Sequence, residues 1–176
     1  MSFLFLIIIL SLIAYVPQFF IGDRKDYRMA MRHGMAGGFI FTGIDHFLNA
    51  ESRYLPMMPE FLADYALALV YFSGAAELAG AIGLIIPPAV YRRLGLPDLS
   101  KWAGIGLAVM LAFLVIANIN VAVQGRSVQG LEFGAWYYWL RPFLQPIFII
   151  WALYASGVIG KQYGERSAKP ALGEHR

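Results

Sequence analysis

The sequence predicts an all-α membrane protein with five transmembrane spans, and three observations predict it. First, the 176 residues are 59% hydrophobic and only 14% charged, whereas a soluble domain carries about 25% charge. So few polar side chains cannot cover a globule, which makes lipid the expected solvent. Second, the apolar residues gather in five runs, at 3–21, 29–48, 65–87, 102–123 and 136–160. Each is long enough for a helix to cross a hydrocarbon core, which takes about 20 residues. Third, lysine and arginine alternate between successive connections, as the positive-inside rule requires of short loops. The period-two alternation of a barrel is absent, so helices are the expected spanning form.

The first run, 3–21, has no Lys or Arg before it and ends Pro17-Gln-Phe-Phe-Ile21-Gly22. A cleaved signal peptide has a basic start and a small-residue cleavage site, so a retained membrane helix is expected. The second run is Gly-rich, and only 34–44 is free of charge and imidazole. Arg32 and His33 stand at one end and Asp45 and His46 at the other; an arginine can snorkel to the interface. The third run has one charge, Glu77, and ends at Pro87-Pro88, where the helical hydrogen-bond ladder cannot continue. The fourth carries Asn118 and Asn120 near its end, and the fifth carries Arg141 and Gln145 near its start.

Cations decide the orientation. Arg24, Lys25, Arg28 and Arg32 follow the first run, and only Arg53 follows the second. Arg92, Arg93 and Lys101 follow the third, only Arg126 the fourth, and Lys161, Arg166, Lys169 and Arg176 the fifth. This alternation places the amino terminus outside and the 161–176 tail, polar and expected to be disordered, in the cytoplasm. Tyr15, Tyr65, Trp102, Trp136, Tyr137 and Tyr138 suit an interfacial belt. Gly34 and Gly38, Ala76 and Gly80, Ala79 and Gly83, and Gly104, Ala108 and Ala112 form small-residue stripes that allow close helix packing.

The net charge of +3 sits in short clusters without the aromatic interleaving of a nucleic-acid surface. The chain has no cysteine. That excludes an intrinsic disulfide relay, Cys-ligated haem or iron–sulfur centres, and thiol nucleophiles. His33 and His46 fall at opposite ends of one helix, and no paired His spacing is present, so neither a bound metal nor haem is expected.

The polar residues of the runs converge on the outer half of the bilayer. Thr42, Asp45 and His46 end the second helix, Ser73 and Glu77 lie four apart on the third, Asn118 and Asn120 end the fourth, and Arg141 and Gln145 lie four apart on the fifth. An ionisable group at membrane depth is costly unless it faces a partner, a bundle interior or water. Glu77 lies deepest, about 18 Å below Tyr65, whereas Arg141 lies about 8 Å below Trp136. A direct ion pair between them is therefore not expected, and burial without a cation favours the neutral acid. Glu77 and His46 are candidates for proton handling; Arg141, Gln145, Asn118, Ser73 and Asp45 are candidates for ligand binding. Each also has a structural reading: Glu77, Asn118 and Gln145 as interhelical hydrogen-bonding groups, Asp45 as a helix-end partner, and His46 and Arg141 as interfacial groups.

Four segments carry a resemblance to a known family. Phe41-Thr-Gly-Ile-Asp-His-Phe47 with Pro56 and Pro59, Tyr71-Phe-Ser-Gly-Ala-Ala-Glu77 continuing to Pro87, Ala117-Asn118-Ile119, and Arg141-Pro-Phe-Leu-Gln145 with Trp151 resemble, in order, segments of the DoxX-like membrane proteins. The likeness spans 28–160. It implies a four-helix transmembrane core, with residues 1–22 as an additional N-terminal helix. It also implies quinone-coupled redox chemistry or resistance to quinone and thiol stress, with His46, Ser73, Glu77, Asn118, Arg141 and Gln145 as the matching site residues. Other relatives resemble membrane chaperones. Pro142 departs from the pattern, in which the proline stands one residue later.

The expected function is a component of a redox or stress-resistance system in the bacterial inner membrane, binding a quinone or similar apolar ligand. An oxidoreductase subunit or a second copy of the chain is the expected partner. The alternative is a non-enzymatic assembly factor or partner subunit.

Overall fold

The computed structural model describes residues 2–21, 26–125, 128 and 133–160. The tail at 161–176 and three of the orienting cations, Arg24, Lys25 and Arg126, lie outside the described residues. The protein is mostly helical, with no strand among the described residues. The α-helices are α1 (Phe3–Tyr15), α2 (Gln18–Ile21), α3 (Tyr27–Leu48), α4 (Ala66–Ile85), α5 (Pro88–Arg93), α6 (Leu99–Gln124) and α7 (Ala135–Ala155). A π-helical turn (Ala50–Tyr54) and two 3-10 segments (Leu55–Met57 and Glu60–Tyr65) join α3 to α4.

Local chemistry sets the boundaries. The expected first run divides at Pro17, whose missing N–H ends the ladder, and α2 follows as a separate turn. Asp26 caps α3 by accepting from the Met29 N–H at 3.0 Å, and Asp98 caps α6 through the Ser100 N–H at 3.2 Å. The last helix stops at Ala155, five residues short of the expected 160. There Gly157 takes a left-handed conformation (φ 83°), and the Val158 N–H closes back on the Leu153 carbonyl at 3.0 Å. That is a Schellman-type stop, and glycine adopts it without steric cost.

Four helices close a ring: α3 packs on α4, α4 on α6, α6 on α7, and α7 returns to α3. The remaining long helix, α1, lies outside the ring against α3. Each neighbouring pair along the chain runs antiparallel. Ser11 meets Gly34 while Phe3 meets Gly38, Thr42 meets Glu77, Gly83 meets Ala103, and Gly104 meets Ser156. The glycine stripes do serve close packing: Gly34 and Gly38 receive α1, Gly80 receives Leu107, and Gly104 receives Ser156. Ala79 and Ala112, by contrast, are exposed. Met35, Phe39, Ala81, Leu84, Leu107, Leu111, Phe148 and Ala152 fill the ring, and Ile7 joins them from α1. Phe3 ties α1 across two ring helices, with its ring 5.3 Å from Phe39 and 5.1 Å from Phe148.

The outside of this bundle is apolar. Phe20, Leu48, Phe61, Phe72, Phe113 and Phe143 are all exposed, far beyond the patches soluble monomers tolerate. Three segments are long and apolar enough to cross a membrane: Phe3–Phe20, Glu60–Ile85 and Leu99–Gln124. Neither α3 nor α7 is among them. The first carries Arg28, Arg32, Asp45 and His46, and the second gives positions to Arg141, Gln145 and two prolines. Those same two helices bring most of the polar chemistry inside.

Candidate functional site

Glycines let the first half of the site form. Gly43 and Gly74 face each other across α3 and α4. A Cβ on Gly74 would fall 2.7 Å from the His46 Cβ and 3.1 Å from the Gly43 carbonyl oxygen. Only hydrogen atoms fit there, so the two backbones approach closely enough for short polar side chains to meet. Thr42, one residue before Gly43, reaches Glu77, three residues after Gly74.

Glu77 is 3% exposed and His46 is 4% exposed. The Thr42 Oγ1 lies 2.6 Å from Glu77 Oε2 and 3.2 Å from the Gly38 carbonyl oxygen. A hydroxyl has one hydrogen to donate. Both contacts are therefore satisfied together when Thr42 donates to Gly38 and a protonated Glu77 donates to Thr42. The His46 Nδ1–H donates to the Thr42 carbonyl at 2.8 Å, which leaves Nε2 as the bare nitrogen. His46 Nδ1 stands 3.6 Å from Glu77 Oε2, adjacent but too far for a hydrogen bond. Thr42, His46 and Glu77 thus form one compact group between two helices.

A cover of side chains from the α3–α4 connection closes over His46. Tyr54, from the π-helical turn, stacks on the imidazole with centroids 3.8 Å apart. Its hydroxyl donates to Asp45 Oδ2 at 2.8 Å. Asp45 also accepts from Asn49 Nδ2 at 2.6 Å and pairs with Arg53. Both Asp45 oxygens are therefore engaged in fastening the α3 end to the following turn. Burial, above all, pushes the Tyr54 phenol above its ordinary range, and the hydrogen bond to Asp45 and the Asp45 charge add to this. Tyr54 stays a neutral donor.

Across the ring, α6 and α7 present a different group. Gly104, Leu111 and Asn118 recur at seven-residue spacing on the α6 face that meets α7, and Ala152, Gln145 and Tyr138 recur likewise on the α7 face that meets α6. Gly104 sits against Ser156 and Ala152, and Leu111 shares the core with Phe148. At the opposite end of the pair Tyr138 packs with Val121 and Ala122. This antiparallel register sets Asn118 level with Arg141, within about one helical turn of Gln145. Asn118 is 4% exposed and Gln145 is 6% exposed. Asn118 Oδ1, Gln145 Oε1 and Arg141 Nη1 are buried without a hydrogen-bond partner. Such orphaned groups are rare in folded proteins.

Tyr54 lies within electrostatic range of both Arg141 and Glu77. Arg53 and Asp45 form an ion pair, whereas His46 and Glu77, both neutral in this bonding pattern, are neighbours without one. Ser73 is half-buried and donates to the Val70 carbonyl of its own helix at 2.8 Å. Asn120 points to the Met57 carbonyl at 3.2 Å and so belongs to the loop. Tyr54 is the participant that sequence reasoning missed. It stands in a connection with no periodic signal, and only its distance of eight residues from His46 hinted at a return.

Fold and site together define a helical bundle with an apolar outer surface and a buried polar centre lined by α3, α4, α6 and α7. Residues 35–156 match the model of a family described as a domain of unknown function (DUF8561), and the chain belongs to that family. The matched stretch begins inside α3 and ends one residue past α7, so it contains every residue of the polar centre and leaves out α1. No curated protein and no solved structure matches the chain.

Proposed function

We propose that this protein is a five-span integral membrane protein that binds a quinone or similar apolar ligand in its polar centre, as a component of a membrane redox or stress-resistance system. The observation that carries the proposal is the set of buried, unpartnered polar atoms on Asn118, Gln145 and Arg141, next to the Tyr54–His46–Glu77 group. Buried polar groups cost free energy unless hydrogen-bonded, and a bound polar head would supply the missing bonds. The apolar tail of such a ligand would lie along the exposed face of the bundle, in lipid. Glu77 and His46 are positioned to exchange protons with the head, while electrons come from a partner oxidoreductase.

The orientation proposed is amino terminus outside and 161–176 in the cytoplasm of a bacterial inner membrane. Its support is a charge asymmetry along the bundle. Arg28, Arg32, Arg92, Arg93 and Lys101 gather at the end where α3 and α6 begin, and Asp45, Glu51, Glu60 and Asp64 gather at the other. Kinship with the DoxX-like proteins is part of the same proposal. Purification in native lipid followed by solvent extraction tests it. A quinone or other redox-active small molecule is expected in the extract, and added quinone is expected to raise thermal stability. An extract without any such molecule, together with an unmoved melting curve, would overturn the proposal.

A second reading, a non-enzymatic assembly factor or partner subunit, is favoured by the closed bonding of Asp45, Asn49, Arg53 and Tyr54, which serves structure alone. On that reading Glu77→Gln keeps both partner recovery and phenotype, because glutamine preserves the hydrogen bond to Thr42.

A further inference from the structure

Of the three unpartnered side chains, only Arg141 discriminates between ligands. Asn118 and Gln145 each carry a carbonyl oxygen and an NH2 whose places exchange by a flip, so they answer donors and acceptors alike. A guanidinium has donors only and keeps its charge. The other arginines on α3 and the following turn have partners. Arg53 pairs with Asp45. Arg32 has Asp26 and Asp98 within electrostatic range. Arg28 lies over the Tyr154 ring at 4.5 Å and donates to the Ile159 carbonyl oxygen at 3.1 Å. Arg141 has none of these. Its Nη1 is buried without a hydrogen-bond partner. The ionisable groups within its range are the phenols of Tyr54, Tyr137 and Tyr138, and no carboxylate among the described residues pairs with it.

A cation inside a membrane bundle is costly and is kept where it meets a counter-charge. A neutral carbonyl would supply a hydrogen bond but leave the charge uncompensated. An anionic oxygen supplies both, and its bond to a guanidinium is the stronger kind. The Asn118 and Gln145 amides, turned NH2 inward, can donate to the same anion. We infer that Arg141 is the counter-ion for an anionic head group on an apolar chain, so that the centre selects its ligand by charge. The inference rests on the head-group site proposed above and fixes the charge of that head. For a quinone-type ligand it means an acidic hydroxyquinone, ionised at neutral pH. The phosphate of an anionic lipid carries the same chemistry.

The test uses the full chain in an uncharged maltoside detergent and reads binding by calorimetry at neutral pH. An alkylated hydroxynaphthoquinone, ionised at that pH, is compared with its uncharged methyl ether. A hydrogen bond to a charged group is worth about tenfold in binding or more, so the anion is expected to bind at least that much more tightly. Arg141→Gln is expected to abolish the preference and Arg141→Lys, which keeps the charge, to retain it. If the glutamine variant does not fold, the preference of the native protein decides alone. Glu132→Gln is expected to change nothing; a preference seen only in that variant would make Glu132 the counter-ion and overturn the inference. Equal binding of the acid and its ether would overturn the inference and leave the quinone-type ligand standing. Binding of neither would overturn the quinone-type ligand. Phosphatidylglycerol against diacylglycerol of the same chains then decides the inference: it stands on a tenfold preference for the phosphatidylglycerol and falls without one.

Discussion

The α3–α4 and α6–α7 interfaces are both antiparallel, both tightened by glycine, and both carry buried polar groups, yet they treat those groups oppositely. Between α3 and α4 the groups close on one another: Thr42 on Glu77 and Gly38, His46 on Thr42, and Tyr54 on Asp45. Between α6 and α7 the Asn118, Arg141 and Gln145 atoms stay open. A closed group contributes to folding on its own. An open one weakens the ligand-free protein, a cost that the proposed head group would offset by supplying the missing bonds. The contrast separates polarity bonded within the protein from polarity left unbonded within one bundle.

The largest effect expected comes from breaking the close approach on the closed side. Gly74→Val would drive new carbon atoms into His46 and the Gly43 carbonyl, which stand 2.7 and 3.1 Å from the position of a Cβ. Overpacking costs about 1–3 kcal/mol, and more where backbone has to move. Thermal unfolding in detergent should show the steepest loss of any variant here. Gly106→Ala, where an added Cβ meets nothing within 4 Å, is the control and should be neutral or stabilising by about 0.4–1 kcal/mol.

Thr42→Val comes next. It keeps the shape and removes the hydroxyl, leaving Glu77 buried without its partner. The expected loss is about 1–3 kcal/mol, with Glu77→Met in the same background recovering part of it, because it removes the unpaired group. Tyr54→Phe should be milder. The stack on His46 survives and one hydrogen bond to Asp45 is lost, for about 0.5–1.5 kcal/mol. A Tyr54→Phe loss as large as that of Thr42→Val would mean that the cover, not the α3–α4 contact, holds the closed group together.

Much of this architecture was legible in the sequence because lipid exposure writes itself into composition. The five runs became the five long helices, and Glu77, alone among apolar neighbours, marked the polar centre. Pro17 was legible too but was outweighed by the hydropathy around it, so an unbroken first helix was expected where α1 and α2 form. The glycine turn at Gly157 that stops α7 was lost in the same way. Within the centre, spacing on a single helix revealed Arg141 with Gln145 and Ser73 with Glu77. It could not show that Ser73 bonds back to its own helix, or that Asp45 turns to Asn49, Arg53 and Tyr54. Such choices depend on which neighbour the packing brings within 3 Å. Tyr54 reached the site through a π-helical turn, and irregular backbone leaves no periodic trace.

The central claim, that the α6–α7 group is open by design, is tested most directly by the unfolding midpoint of Asn118→Leu in the ligand-free protein, beside that of Thr42→Val. Leucine replaces a buried, unsatisfied amide with an apolar group of similar size. The midpoint should hold or rise, while that of Thr42→Val falls, and the stabilisation expected from added quinone should shrink. A fall in Asn118→Leu as deep as that in Thr42→Val would contradict the claim and make Asn118 one more structural hydrogen-bonding group between helices.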